Sequence, residues 1–157
     1  MSLRDAASIA AVIGVLLALL GFLKGLVEYS RQGAQKMAED FVELGSRLYR
    51  DPDFRHICDL LEDDSPYLRD VSYQDKREFL GFFEELALMA NSKLIKRRVA
   101  HYMFGYYALR CWQSQNFWID IERQSIYWAL FKDFAQQMED VDRSFRYRRR
   151  DFRLYYY

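Results

Sequence analysis

The pattern of hydrophobic and polar positions divides the chain into an apolar N-terminal run and a longer part in which apolar residues recur at helical spacing. Between Ala6 and Leu23 no residue is charged, and Ser8 is the one polar side chain. About 20 apolar residues, each rising about 1.5 Å, cross the hydrocarbon core of a bilayer. Residues 1–24 are therefore predicted to form a transmembrane helix. A cleaved signal peptide is the alternative, because Arg4 precedes the run as a basic n-region would.

Basic residues near the two ends of the predicted span indicate its orientation. At the N-terminal end Arg4 is balanced by Asp5, whereas Lys24, Arg31 and Lys36 follow the span. The end with more lysine and arginine stays in the cytoplasm. We therefore expect a single-pass protein of the bacterial inner membrane, with its N-terminus outside and its C-terminal domain in the cytoplasm.

A stripe of apolar residues begins within the span and continues beyond it at alternating intervals of three and four. This spacing keeps one apolar face on one side of a helix, so residues 25–50 are predicted to form a juxtamembrane helical stalk. The stripe favours a homo-oligomer, with a tetramer as the candidate assembly; alternatively, its stalk half packs on the chain's own domain. The stripe consists of Ile13, Leu16, Leu20, Leu23, Val27, Ser30, Ala34, Met37, Phe41, Leu44 and Leu48.

Residues 51–144 are predicted to form a compact cytoplasmic bundle of helices, which makes the fold class all-α. Asp51 and Pro52 suit the N-cap and first position of one helix, and Ser72 with Asp75 resembles the capping box of the next. Two more helices are predicted over about 93–113 and 117–144. The positions expected to be buried are Phe54, Ile57, Cys58 and Leu61, then Phe79, Phe82, Phe83, Leu86, Met89 and Ala90, then Ile95, Val99, Tyr102, Tyr106 and Leu109, and finally Ile121, Trp128, Phe131, Ala135 and Met138.

Two basic clusters are candidate ligand-binding sites. One lies at the start of the third predicted helix of this bundle, where Lys93 and Arg97 share a face near His101, and the other in the Arg/Tyr-rich C-terminal tail, residues 145–157. Arginine forks fit phosphate oxygens and aromatic rings stack on bases, a combination that suits a nucleotide. Contact with anionic lipid, or a merely solvated surface, is the alternative. The candidate residues are Lys93, Lys96, Arg97, Arg98, His101, Arg146, Arg148, Arg149 and Arg150, whereas Lys76 and Arg77 are expected on the surface outside both clusters.

The composition gives little support for catalysis. The chain has 23 basic and 23 acidic residues, so attraction to an anion must come from local clusters. His56 and Cys58 point apart on a helix, His101 stands alone, and no glycine-rich phosphate loop is present. Cys58 and Cys111 lack Cys-x-x-Cys spacing and suit reduced thiols. We therefore expect no enzyme, no cofactor and no metal site.

Two segments carry a resemblance to a known family. They are residues 79–88, FLGFFEELAL, and residues 104–112, FGYYALRCW, preceded by Pro52, Phe54 and Arg55 after a turn. Together they resemble a domain of unknown function found in many small bacterial membrane proteins, over roughly residues 50–143. The resemblance implies a single N-terminal span before a helical cytoplasmic domain, and it brings no known chemistry.

The overall layout resembles, more loosely, the small membrane effectors of type III CRISPR systems. That resemblance implies an antiviral-defence protein whose cytoplasmic domain binds a cyclic oligoadenylate, with tetra-adenylate favoured, and whose membrane part responds. The expected partners are this ligand, the lipid bilayer and further copies of the chain, and no double-stranded nucleic acid. A membrane-tethered scaffold that binds a partner protein is the alternative function.

Overall fold

A computed structural model describes residues 19–25, 28, 32–33, 36 and 39–152, without the side chains of residues 150 and 151. The chain divides into two compact units, Met1–Asp40 and Phe41–Tyr157. Every described residue of the first unit is helical. Within the described ranges no helix is both long and apolar enough to cross a membrane. Most of the predicted span, residues 1–18, lies outside these ranges.

The second unit is a helical bundle, and the all-α prediction is confirmed for its described residues, none of which is in a strand. Helix α1 covers residues 41–50 of this unit, and short 3₁₀ turns join or follow the later helices. The remaining helices are α2 (Pro52–Leu61), α3 (Tyr73–Asn91), α4 (Arg97–Ala100), a π-helical turn (His101–Gly105), α5 (Tyr106–Gln113) and α6 (Ala129–Arg143), and the 3₁₀ turns are Pro66–Arg69, Ile126–Trp128 and Arg149–Phe152.

The predicted starts of α2 and α3 are confirmed. The Asp51 carboxylate accepts hydrogen bonds from the backbone N–H groups of Asp53 and Phe54, at 2.9 and 3.2 Å. The Ser72 hydroxyl accepts one from the backbone N–H of Asp75 at 3.1 Å. These bonds satisfy N–H groups that have no partner within the helix.

The core lies where α3 packs against α2 and α6, and α5 closes it between them. Most of its volume comes from phenylalanine rings in edge-to-face contacts, such as Phe54 with Phe79 at 5.4 Å and Phe82 with Phe83 at 5.1 Å between ring centroids. Such pairs add to the stabilisation from apolar burial. All the positions predicted to be buried in α2 are buried, as are those in α3 except the partly buried Met89.

Helix α1 belongs to this core. Phe41 and Leu48 are buried in it and Leu44 packs against it. These three are the last positions of the apolar stripe that the sequence assigns to a stalk. At these positions the stripe packs on the chain's own domain, and the compact unit begins before the predicted boundary at Asp51.

The prediction that a helix starts at Lys93 is wrong. Lys93 adopts φ 58°, the left-handed conformation that commonly ends a helix. The N–H of Leu94 bonds back to the carbonyl of Met89 at 2.9 Å and closes the end of α3. Helix α4 therefore starts at Arg97, and Lys93 does not share a helix face with it.

The predicted burial of Tyr102 and Tyr106 is also wrong, since their exposed fractions are 60% and 49%. A π-helical turn holds one more residue per turn than an α-helix and so rotates every later position. In this turn and after it, the core instead receives Phe104, Ala108 and Cys111. Leu109 is partly buried.

The last helix begins at Ala129, not near Phe117 as predicted. Asp120 takes a left-handed φ of 66°, and the Ser125 hydroxyl caps a 3₁₀ turn by accepting from the Tyr127 N–H at 3.3 Å. The segment between α5 and α6 is therefore built of turns. The residues expected to be buried here are nevertheless buried, namely Ile121, Trp128, Phe131, Ala135 and Met138.

Candidate ligand-binding site

The structure brings the two predicted basic clusters together. The Arg98 guanidinium donates a hydrogen bond to the backbone carbonyl of Arg146 at 3.4 Å. The C-terminal 3₁₀ turn, Arg149–Phe152, also packs on α4. Arg97 and Arg146 are exposed, as are Arg148 and Arg149, which follow Arg146 closely in the chain. We call the group formed by Arg97, Arg98, Arg146, Arg148 and Arg149 the basic junction.

The other candidate residues are placed differently. Lys93 is exposed in the loop after α3, and Lys96 stands partly buried at the N-cap of α4. The side chain of Arg150 is outside the described part of the chain. Lys76, expected on the surface, is only 2% exposed, and its ammonium donates to the Ile119 carbonyl at 3.4 Å. Burial lowers the pKa of Lys76.

His101, the remaining candidate residue, is largely buried. Its side chain is 10% exposed, and its Nε2 lies 3.1 Å from an Asp142 carboxylate oxygen. The Phe145 ring lies against the imidazole, with 4.8 Å between centroids. The buried Nδ1 has no hydrogen-bond partner among the described residues.

Gly105 makes room for this imidazole. A Cβ at Gly105 would lie 2.8 Å from Cδ2 and 3.2 Å from Cγ of His101. Both distances are shorter than the van der Waals contact that carbon atoms favour. The π-helical turn thus carries a histidine and a glycine in direct contact, four residues apart.

Aromatic residues of the C-terminal tail pack against Tyr102. The ring of Phe152 contacts those of Tyr102 and Tyr147 at 5.0 and 5.1 Å between centroids. Phe145 lies 6.5 Å from Tyr102 in a stacked arrangement. The sequence had assigned the tail aromatics to base stacking, but Phe145 and Phe152 are engaged in packing the tail.

A cleft of about 390 Å³ opens beside the basic junction. The π-helical turn and α5 form one side of it and the end of α6 the other. Its volume is within the range of about 300–1,000 Å³ typical of small-molecule sites. The lining residues are His101, Tyr102, Tyr106, Leu109, Arg110, Gln113, Asp142 and Phe145.

Most of these lining residues were missed from the sequence. Tyr102, Tyr106 and Leu109 were assigned to the core because an unbroken α-helix would bury them. Arg110 and Gln113 carry suitable polar groups, but the chain contains many similar residues on helices. The cleft could be recognised only from the π-helical turn, and the residue pattern used for helices does not reveal such a turn.

Polar contacts hold Tyr106, which lines the cleft, and its neighbour Tyr107 in place. The Tyr106 hydroxyl donates to a Glu62 carboxylate oxygen at 2.6 Å, and that of Tyr107 donates to the other oxygen at 3.1 Å. Burial and the bond to Glu62 raise the pKa of Tyr107. The Arg110 guanidinium lies 5.4 Å from the centroid of the Tyr106 ring, which is cation–π range.

The cysteines give no reactive group to this part of the molecule. Cys58 and Cys111 are free and buried. Burial, with Asp59 and Glu62 nearby, raises the pKa of Cys58 to about 12, and burial raises that of Cys111 as well. In the described ranges, no three His, Cys, Asp or Glu residues are grouped to bind a metal.

Comparison of the chain with known protein families, with curated proteins and with solved structures finds no match. The resemblances to small bacterial membrane proteins and to CRISPR effectors therefore stay hypotheses. What the chain itself offers is a helical bundle with a basic junction and an aromatic cleft side by side.

Proposed function

We propose that the chain is a membrane-anchored, non-enzymatic effector of antiviral defence whose helical domain binds a cyclic oligoadenylate, with tetra-adenylate preferred. In this proposal residues 1–24 span the bacterial inner membrane once, residues 25–40 lead to the domain, and the domain lies in the cytoplasm. Ligand binding alters the packing of the spans.

One observation carries the proposal. The hydrogen bond from Arg98 to the Arg146 carbonyl joins α4 to the tail, and three further arginines, each within three residues of one of these two, are exposed. Guanidinium groups bind phosphate oxygens through paired N–H donors, and converging guanidiniums favour a ligand with several phosphates. Because the formal net charge of the chain is zero, attraction of a phosphate would come from this local group of arginines and not from the overall charge.

A cyclic oligonucleotide suits a symmetric assembly of such domains. It presents the same phosphate once per nucleotide around a ring, so identical junctions in a homo-oligomer can each hold one phosphate. Each contact is modest, but binding through several at once raises the affinity of the whole ring. Mononucleotides offer no such gain.

The test measures binding of cyclic tri-, tetra- and hexa-adenylate to the full-length chain in detergent by titration calorimetry. We expect binding of a ring, weaker binding of linear tetra-adenylate and AMP, and an affinity that falls as salt rises. Replacing Arg97 and Arg98 by alanine should weaken binding at least tenfold. The matched control replaces the exposed Arg55 and Arg77 by alanine and should leave binding unchanged.

Absence of heat with all three rings at micromolar protein would overturn the proposal. The scaffold function, or contact of the arginines with anionic lipid, would then be the better account of the basic junction. Equal weakening by the two double variants would also contradict it, because general charge rather than this junction would then attract the ligand.

A further inference from the structure

Large aromatic side chains are exposed on the face shared by the π-helical turn and α5. Tyr102 and Tyr106 lie one turn apart on it and are about half exposed or more. Leu109 continues the same face and is only partly buried. In an unbroken α-helix this face would pack into the core, but here it lines an open cleft. π-helical turns often occur at functional sites.

Polar groups stand at defined places around these rings. Arg110 and Gln113 line the cleft on α5, and both are exposed. On the same side, in the π-helical turn, lies the imidazole of His101, nine-tenths buried, whose Nδ1 has no hydrogen-bond partner among the described residues. A buried nitrogen without a partner costs free energy unless a ligand or water supplies one.

The cleft is continuous with the basic junction. Phe145 lines the cleft, and the next residue, Arg146, provides the carbonyl that Arg98 binds. On the other side of the cleft, His101 follows Arg98 by one turn. A ligand with a phosphate at the junction therefore has its neighbouring groups at the mouth of the cleft.

We infer that this cleft is the base-binding subsite of the ligand site. A nucleobase lies against Tyr102 and Tyr106, and Arg110 and Gln113 face its hydrogen-bonding edge, while the attached phosphate reaches the basic junction. A flat ring with donors and acceptors on its edge matches walls made of aromatic faces, a guanidinium and an amide. This inference rests on the proposed function, because the ligand is the same.

The experiment compares binding of cyclic tetra-adenylate to full-length variants in detergent by titration calorimetry. Tyr102→Ala should weaken binding about tenfold, as expected for loss of one base–aromatic contact. Tyr102→Phe should keep nearly full affinity because it keeps the ring. Arg110→Ala and Gln113→Ala should each weaken binding, and neither touches the tail contacts of Tyr102. Tyr127→Ala removes a tyrosine that is 80% exposed and does not line the cleft, and it should have no effect.

The outcomes separate this inference from the proposed function. If the wild type binds no ring, both fail. If the wild type binds and the Arg97 and Arg98 variant does not, while Tyr102→Ala, Arg110→Ala and Gln113→Ala all bind like the wild type, the function stands and the subsite is refuted. Loss in Tyr102→Ala alone would also refute it, because that side chain also packs the tail.

Discussion

At the scale of single residues, Asp64 shows how one carboxylate ties two loops together. It accepts hydrogen bonds from the Ser114 hydroxyl and from the backbone N–H groups of Gln115 and Asn116. Its own carbonyl accepts from the Asn116 amide at 2.6 Å. Burial alone would raise the pKa of Asp64, but these hydrogen bonds to the ionised form lower it.

Asp64→Asn should therefore destabilise the domain by about 2 kcal/mol at neutral pH, since an amide loses part of the acceptor capacity and the charge. Asparagine tolerates the left-handed φ of 51° found at Asp64, so the backbone need not change. A carboxyl with a lowered folded-state pKa stabilises the fold above its unfolded pKa, and this contribution is lost as the pH falls through the folded value. The difference between wild type and variant should thus shrink below about pH 4.

Thermal unfolding followed by circular dichroism at several pH values measures this difference. Asp63→Asn is the matched control, because the Asp63 carboxylate, next to Asp64 in the chain, is exposed and should contribute little to stability. A difference that stayed constant from pH 7 to pH 3 would show that the charge of Asp64 is not what stabilises the loops.

The sequence predicted single residues well where local rules decide their role. Asp51 and Ser72 cap helices as expected because capping depends on neighbours a few residues away. Arg98 was predicted as a phosphate ligand, but its contact with the Arg146 carbonyl joins residues 48 apart and follows only from the packing of α4 on the tail. Lys76 was misplaced because a lone lysine gives no sign of being buried.

At the scale of elements, the sequence predicted that helices form, but it did not always predict which face of a helix is buried. The period of 3.6 residues identified α2 and α3 with their buried faces, because both are regular helices. The same period failed after Ala100, where the π-helical turn changes the rotation of the chain. The start of α6 was missed because turn residues there carry apolar side chains that a helix pattern also accepts.

Gly105→Ala should destabilise the domain, by about 1–3 kcal/mol, although alanine favours helices. The new Cβ would press on His101 close to the imidazole root, where the side chain cannot yield easily. In Gly81→Ala, by contrast, the new Cβ meets nothing within 4 Å, so this change in α3 should stabilise by about 0.5–1 kcal/mol. Melting temperatures that move in opposite directions would support this account; a rise in both would contradict the close contact at His101.

At the scale of the whole molecule, the orientation in the membrane decides whether a cytoplasmic ligand can reach the basic junction. A reporter active only in the cytoplasm, fused after Tyr157, should be active, and the same reporter fused before Met1 should not. The reason is the excess of basic residues after the predicted span, Lys24, Arg31 and Lys36. Activity of the N-terminal fusion alone would place the domain outside and exclude a cytoplasmic nucleotide as its ligand.

The π-helical turn also bears on how the chain tolerates insertions and deletions. Val99, Ala100, Phe104, Ala108 and Cys111 lie in the core, and the interval from Val99 to Phe104 is five residues. Loss of one residue at 101–103 would put Phe104 four residues after Val99 and three after Ala100, spacings that a regular α-helix accommodates with the same side chains in the core. A single-codon deletion, usually among the most damaging changes in a helix, could thus leave the bundle folded while removing the cleft. Gain and loss of this surface among related chains would then follow changes in length at 101–103 rather than substitutions.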